Sequence, residues 1–564
     1  MRFVLLAIIW ITGLLNAIPC GAAPQHISSP ADQIAVELRA LVEEQLSGQK
    51  LVLNRQLLLD DTTLPQFYSG FNYQPAWIAT DGLNVSGRLL LDTLRDAELE
   101  GLCPEEYRLA TLELLVRFEH DLRRGGVATD PHFLASLDIL LTDAFLSFVG
   151  DLVEGRVNPA DVYPDWDVPQ QKADTAWLLA QMISAERAAQ VLRQLIPASV
   201  DYRGLRRYLR YYRELSVRGD WPQIEEGPLL KPGESDRRVP KLRARLLFSG
   251  DLEFDNTRPD EYYDDATVAA LKKFQRRHGL FPDGVLGDQT RKELNVPLRR
   301  RIDQLMLNME RWRWLARDLG ERYLLVNIAD FSLSVIDGGE YVMSMPVVVG
   351  TAYRRTPVFS AKLKYVVLNP YWYVPETIFR EDKLPLLRVD HDYLVQHDYD
   401  LVEWQGGRIV KIDAEQIDWR DVDPEQFKGI LRKRPGEGNP LGKIKFLFPN
   451  PYDIYLHDTS QKYLFRKQTR LFSSGCIRIE RPLDLAQYLL QREGWSRERL
   501  LMILTQPEEY QIKLTSSWPV HLVYQTAWVD KAGLVHFRPD VYWQDWDLER
   551  ALQKRRAKAV RTDP

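Results

Sequence analysis

The apolar spacing of this chain changes once, near Tyr323, and that change constrains its fold more than any other feature. From about residue 30 to 225 the apolar residues recur at helical intervals. Phe133, Leu137, Leu141, Ala144, Phe148 and Leu152 form one such stripe, ended by Gly155 and Pro159. After Tyr323 the period becomes two. "YLLVNIADFSLSVID", "EYVMSMPVVVG" and "LKYVVLNPYWYVP" are rich in Val, Ile and aromatics, with Gly338-Gly339 as the turn between the first two. "DIYLHD" and "LLMILT" read as further strands. A chain of 564 residues exceeds one core, and its length suggests about three or four domains. The expectation is a multidomain α+β protein with a helical scaffold first and a β-rich domain later.

Between these halves lie smaller units. The Gly- and Pro-rich "GDWPQIEEGPLLKPGESD" (219–236) reads as a linker. Residues 235–296 then pattern as three short helices: "RVPKLRARLLFSGDL", "DDATVAALKKFQRRHGL" capped by Asp264 or Asp265 and closed by Gly279, and a third capped by Asp288. "FQRRHGL" followed by "DGVLGDQT" resembles the peptidoglycan-binding module of many wall enzymes. Pro297 opens a connecting helix through Ile302, Leu305, Met309 and Trp312. Within the β half, the strand pattern lapses between Glu376 and Pro435, a length expected of a lid, a binding subdomain or a disordered loop. The expected divisions are 24–225 scaffold, 226–296 binding module with its linker, 297–320 connecting helix, 321–512 β-rich domain with the 376–435 insertion, and 513–564 a hairpin with a charged tail.

Arg2 followed by the apolar run Phe3 to Leu15 and the small residues Gly21, Ala22 and Ala23 has the layout of a secretory signal peptide over 1–23. Export to the periplasm is therefore expected. An uncleaved leader, or lipidation at Cys20, is the minor alternative, since Pro19 suits lipid processing badly. No other stretch is expected to cross a membrane. Removing the leader leaves Cys103 and Cys476, which either pair or include a free thiol kept for chemistry. A net charge of −5 gives no drive towards nucleic acid.

Cys476 lies in "LFSSGCIRIERP", a small, polar turn rather than an apolar core. A nucleophilic thiol needs exposure, a base and donors for an oxyanion. Gly475 permits close approach, the amides around Gly475 and Cys476 can face one oxygen, and His457 ends the apolar strand "IYLHDT" upstream. A thiolate–imidazolium pair would be stabilised by mutual charge. The acceptor orienting the imidazole is either Asp458 or a main-chain carbonyl. A packing cysteine and a structural histidine are the plain alternatives. A Cys–His zinc site lacks two further ligands of any paired spacing, and neither G-x-S-x-G nor a dinucleotide loop is present, so no cofactor or metal is expected.

"IYLHDT…SSGCIRIERP", together with "MPVVVGTAYRRTPVFS", "LNPYWYVP" and "NPLGKIKFLFPN", closely resembles the YkuD-type L,D-transpeptidase catalytic domain from about Tyr323 to Gln506. The whole layout is similar to large YcbB-like Gram-negative members. The resemblance implies Cys476 as nucleophile and His457 as base, with Ser474, Gly475, Tyr455 and Arg478 as substrate or oxyanion residues. Many shorter members carry His where Ser474 stands, which leaves the third catalytic group open. It also implies donor and acceptor peptidoglycan stem tetrapeptides as substrates, 3→3 cross-links through a thioester, carbapenem-type inhibitors and other wall synthases as partners. An L,D-carboxypeptidase, a lipoprotein-attaching transpeptidase and an inert wall-binding scaffold are the rival expectations.

Overall fold

The computed structural model describes residues 29–46, 52–53, 56–57, 63–168, 171–182, 185–197, 199–253, 260–315 and 319–561. The expected leader over 1–23 lies outside them.

The N-terminal unit is helical and centred on Pro131–Glu154, whose Leu137, Leu141, Ala144, Phe148 and Leu152 are buried. This helix is long and apolar enough to span a bilayer by length and composition, which corrects the expectation that no such stretch exists. Most of it is buried inside its own domain, and three buried carboxylates fix it there. Asp138 accepts the Ala76, Trp77 and Ile78 amides at 2.8–3.0 Å and the Tyr68 hydroxyl at 2.6 Å. Asp143 pairs with Arg108, and Asp151 with Arg555 at 2.7 Å.

The three-helix unit forms as Val239–Phe248, Asp265–Arg277 and Asp288–Leu294, with Asp264 accepting the Thr267 amide at 2.9 Å as N-cap. The third helix departs from expectation: Gly287 occupies its cap position and Asp288 its first turn. Residues 219–236 are not a free linker. Trp221, Ile224 and Leu230 are buried, and Trp221 donates its indole N–H to the Val296 carbonyl at 2.9 Å. Three large apolar side chains outweigh the Gly and Pro content. The connecting helix is Leu298–Arg313.

Eight strands close into a ring, numbered here in chain order: β1 (Arg322–Asn327), β2 (Ser332–Asp337), β3 (Glu340–Gly350), β4 (Val358–Leu368), β5 (Ile444–Leu447), β6 (Leu456–His457), β7 (Ile477–Ile479) and β8 (Tyr510–Val523). Around the ring they run β5-β6-β7-β3-β2-β1-β8-β4, and β4 pairs back onto β5. Closure leaves no free edge between them. Leu333, Val335, Val347, Val366, Phe446, Leu456, Ile477, Ile479 and Leu522 are among the residues of its core. The 512/513 boundary is corrected by β8, which crosses it. That strand pairs parallel with β1 and antiparallel with β4, so the ring cannot close without it. The true hairpin is Ala527–Val529 with Val535–Phe537, and the charged tail is a helix, Gln544–Arg561, whose Arg555 reaches the scaffold. "LLMILT" (500–505) is likewise not a strand: its first four residues end the helix Arg497–Ile503, started by the Ser496 cap on the Arg499 amide, and Leu504 and Thr505 turn out of it.

The 376–435 insertion is a folded subdomain. Trp372–Tyr373, Ile430–Lys433, Tyr399–Gln405 and Arg408–Ile412 make a four-stranded antiparallel sheet in that order. Phe379, Leu384, Leu387, Leu401, Trp419 and Leu431 give it a core of its own. Its hairpin turns at Gly406-Gly407, both with positive φ (56° and 81°), the conformation that a two-residue turn demands.

Candidate active site

The site is built on the outer face of β5, β6 and β7. Side chains alternate along a strand, so the buried Phe446, Leu456 and Ile477 fill the barrel while their neighbours face outward. Lys445 pairs with His457 across β5–β6, and His457 with Arg478 across the parallel β6–β7 ladder. Two residue pairs back along the same ladder, Cys476 lies beside Tyr455, and the Ile477 amide donates to the Tyr455 carbonyl at 3.1 Å. Lys445, Tyr455, His457, Cys476 and Arg478 therefore share one face. His457 and Cys476 are diagonal neighbours on adjacent strands, a relation that puts Cα atoms roughly 7–8 Å apart, within side-chain reach. Among the described residues no hydrogen bond joins the sulfur to the imidazole; such contacts commonly tighten only when substrate arrives.

The imidazole is held by the main chain. His457 Nδ1 donates to the Asp458 carbonyl at 2.6 Å, since a carbonyl can only accept, and Nε2 is left as the basic nitrogen. The Asp458 carboxylate is occupied elsewhere, by the Lys443 amide at 2.9 Å, the Thr459 amide at 2.7 Å and Lys462 Nζ at 2.7 Å. Its position explains Gly442, where an added Cβ would come within 2.5 Å of that carboxyl group and where φ is +59°. Burial, then the Arg478 charge, pushes His457 down to about 3, so the ring is neutral.

The thiol is neutral too. Burial pushes Cys476 above the ordinary cysteine range, against the opposing pull of the neighbouring Tyr455 and of Lys445. Its S–H points to the Asp453 carbonyl at 3.7 Å. Desolvation therefore works against both charges of the expected thiolate–imidazolium pair.

Gly475, at φ +113°, makes the turn before the thiol. Its amide donates to Ser473 Oγ at 3.2 Å, so it does not share an oxyanion with its neighbour. The Cys476 amide has no protein acceptor among the described residues. The Gly475 carbonyl accepts from Thr356 Oγ1 at 2.6 Å, and that hydroxyl accepts the Gly350 amide at 2.9 Å. Tyr542 completes the brace, its hydroxyl donating to the Gly350 carbonyl at 2.6 Å. Ser474 Oγ accepts from Arg354 Nη1 at 2.9 Å, and the same guanidinium pairs with Glu381 and, at 3.0 Å, Asp382 of the insertion. Arg478 Nη1 donates to Gln461 Oε1 at 2.6 Å.

A cavity of about 790 Å³ runs between the barrel and the insertion; Cys476 and His457 do not line it, but Asp453, whose carbonyl the thiol faces, and Tyr455 do. Lys445, Asp453 and Tyr455 form its barrel wall, and Phe379, Phe427 and Leu431 its roof. Sequence reasoning missed Thr356, Arg354, Gly442, Lys445 and Tyr542. The first four lie inside the quoted resemblance segments, but nothing local marks their roles. Cys103, the other thiol, is free; it donates to Glu105 at 2.7 Å and burial pushes it up to about 11.

Residues 321–498 match the family profile of the L,D-transpeptidase catalytic domain, YkuD. Residues 235–294 match that of a "Putative peptidoglycan binding domain", and 62–209 a scaffold domain. The "Putative L,D-transpeptidase" of Haemophilus influenzae is 35% identical over 268 residues, which are 46% of this chain and 52% of that protein. The "N-acetylmuramoyl-L-alanine amidase CwlL" of Bacillus licheniformis is 36% identical over 74 residues, 13% of this chain and 20% of that protein. The chain thus spans about half or less of the curated relatives it matches. Crystal structures of L,D-transpeptidases from Xylanimonas cellulosilytica and Stackebrandtia nassauensis align at 14% and 13% identity. They cover 53% and 54% of this chain and 100% and 96% of those chains, with TM-scores of 0.17 and 0.21.

Proposed function

We propose, for a chain that carries a YkuD-type L,D-transpeptidase catalytic domain at 321–498 and a peptidoglycan-binding domain at 235–294, that it forms 3→3 cross-links between peptidoglycan stem peptides through a thioester on Cys476. The observation that carries this reading is the thiol on one sheet face with an imidazole whose Nδ1–H is fixed on the Asp458 carbonyl, beside a roofed cleft. In the acylation step Cys476 passes its proton to His457 Nε2 while sulfur bonds to the carbonyl carbon of the third stem residue. The Cys476 amide is the free donor for the oxyanion. The C–N bond then breaks, and the imidazolium returns the proton to the departing amine of D-Ala. In the second step an amine of another stem attacks the thioester, His457 takes its proton, and the sulfur leaves and is reprotonated. The thioester conserves the acyl bond energy, so the exchange needs no external activation.

A roof over the cleft favours transfer over hydrolysis by limiting water at the thioester. The binding domain raises the local concentration of an insoluble substrate. Export to the periplasm, carbapenem acylation of Cys476 and action beside other wall synthases in YcbB-like fashion belong to the same reading. Mass spectrometry of muropeptides, after incubating purified protein with tetrapeptide-containing wall, tests it. The expected product is a 3→3 linked dimer, absent with Cys476→Ala. Tripeptide alone would make the protein an L,D-carboxypeptidase; wall unchanged by the unsubstituted protein would overturn the enzyme reading.

A further inference from the structure

The cross-strand row beside the thiol carries three nitrogenous groups, Lys445, His457 and Arg478. His457 is neutral and held by a carbonyl, and Arg478 donates to Gln461. Lys445 differs. Like Arg478, it forms no ion pair within 4.0 Å among the described residues, but its ammonium also has no hydrogen-bond acceptor there and rests on the Tyr455 ring, 3.8 Å from the centroid. That same tyrosine lies beside Cys476 on the β6–β7 ladder, where the Ile477 amide donates to the Tyr455 carbonyl, so one residue adjoins both the ammonium and the nucleophile. The nearest acids are engaged or distant: Glu509 accepts the Tyr371 amide at 2.7 Å, and Asp453 acts only through space. Burial pushes Lys445 below the usual lysine range, the signature of a cation whose counter-ion is missing. It is half-buried and lines the 790 Å³ cavity.

A half-buried, unpaired ammonium on the wall of a cleft calls for an anion from the ligand. We infer that Lys445 is the donor-site carboxylate anchor, pairing with the α-carboxylate of the D-amino acid that is expelled when the thioester forms. This rests on the acyl-transfer reading above. The length fits: the leaving residue's carboxyl carbon lies one residue beyond the attacked carbonyl, roughly 3.3–3.6 Å along an extended chain. The ammonium and the thiol flank the same tyrosine on one sheet face, so both can reach one bound stem terminus. Pairing there orients the scissile carbonyl on Cys476, and release of the free D-amino acid vacates the anchor before the acceptor arrives.

The test measures release of the C-terminal residue from two soluble tetrapeptide donors, as the free D-amino acid from one with a C-terminal carboxylate and as its amide from one that is capped. A hydrogen bond to a charged group contributes about 1.5–3 kcal/mol, so Lys445→Met should raise KM for the free acid by roughly 10- to 150-fold. Lys445→Arg should recover most of that loss. The amide should be a poor donor for the unsubstituted protein and should lose less than about threefold further on Lys445→Met. Equal losses on both donors would overturn the anchor and make Lys445 a residue that acts on the thiol or the fold. Lys445→Gln, with its unfolding midpoint checked, gives the same comparison if the Met variant does not fold. Failure of the unsubstituted protein to release the C-terminal residue from either donor would instead sink the acyl-transfer reading.

Discussion

Replacing Thr356 by valine should loosen the nucleophile turn without touching the nucleophile. The side chain is 1% exposed, and valine has nearly its shape, so packing is conserved and only the hydroxyl is lost. That hydroxyl bridges the Gly350 amide and the Gly475 carbonyl, both buried. Leaving a buried polar group unsatisfied costs about 1–3 kcal/mol, so two orphaned groups total roughly 2–6 kcal/mol. A chain with several cores has no single unfolding free energy, which makes a local probe the right one. Hydrogen exchange of the segment around Gly475 and Cys476 should accelerate by about 30-fold or more, since 1.4 kcal/mol is a factor of ten. Acylation of Cys476 should slow with it, because Gly475 at φ +113° keeps its geometry only while the carbonyl is held. Thr356→Ser restores the hydroxyl and should restore both readouts. Exchange within twofold of the unsubstituted protein in the valine variant would refute the brace.

Two further outcomes follow from the electrostatics. With Cys103 replaced by Ser, iodoacetamide labelling of Cys476 should rise about tenfold per pH unit from 6 to 9 without a plateau. The sign follows because burial lifts the thiol above its usual range and drops His457 to about 3, so thiolate appears only as pH rises; a plateau between pH 4 and 7 would reveal the ion pair instead. Arg354→Ala removes the guanidinium that joins Ser474 to Glu381 and Asp382. Each partly exposed pair is worth about 0–1 kcal/mol, so exchange over 379–383 should rise by roughly tenfold, and hydrolysed tripeptide should gain on cross-linked product. Unchanged exchange over that segment would show that the insertion is held by its apolar contacts alone.

The change of period near Tyr323, the stripe of the Pro131–Glu154 helix and the Asp264 cap in the three-helix unit were readable from the sequence. Each depends on neighbours a few residues away, where spacing and local chemistry suffice. The thiol, its glycine turn and the candidate base could be named for the same reason: they sit in two short segments with a distinctive pattern. Local pattern failed where distant partners decide. "LLMILT" has strand composition, but a Ser496 cap and a buried Leu500 make it a helix. Trp221 turned an apparent linker into part of a core. The alternation of "LVEWQGGRIVKI" around Gly406-Gly407 carries the hairpin locally, although the charged residues on either side mask it. Only the closed barrel could decide that Tyr510–Val523 belongs between β1 and β4, or that the thiol and imidazole are both neutral. Closure pairs residues more than a hundred positions apart, and burial of a charge depends on everything packed around it. Lys445 shows the division most directly. Its sequence neighbours mark it as one outward-facing residue of a strand, and only the register that sets it against His457, beside Tyr455 and the sulfur, gives it a reason to wait for an anion.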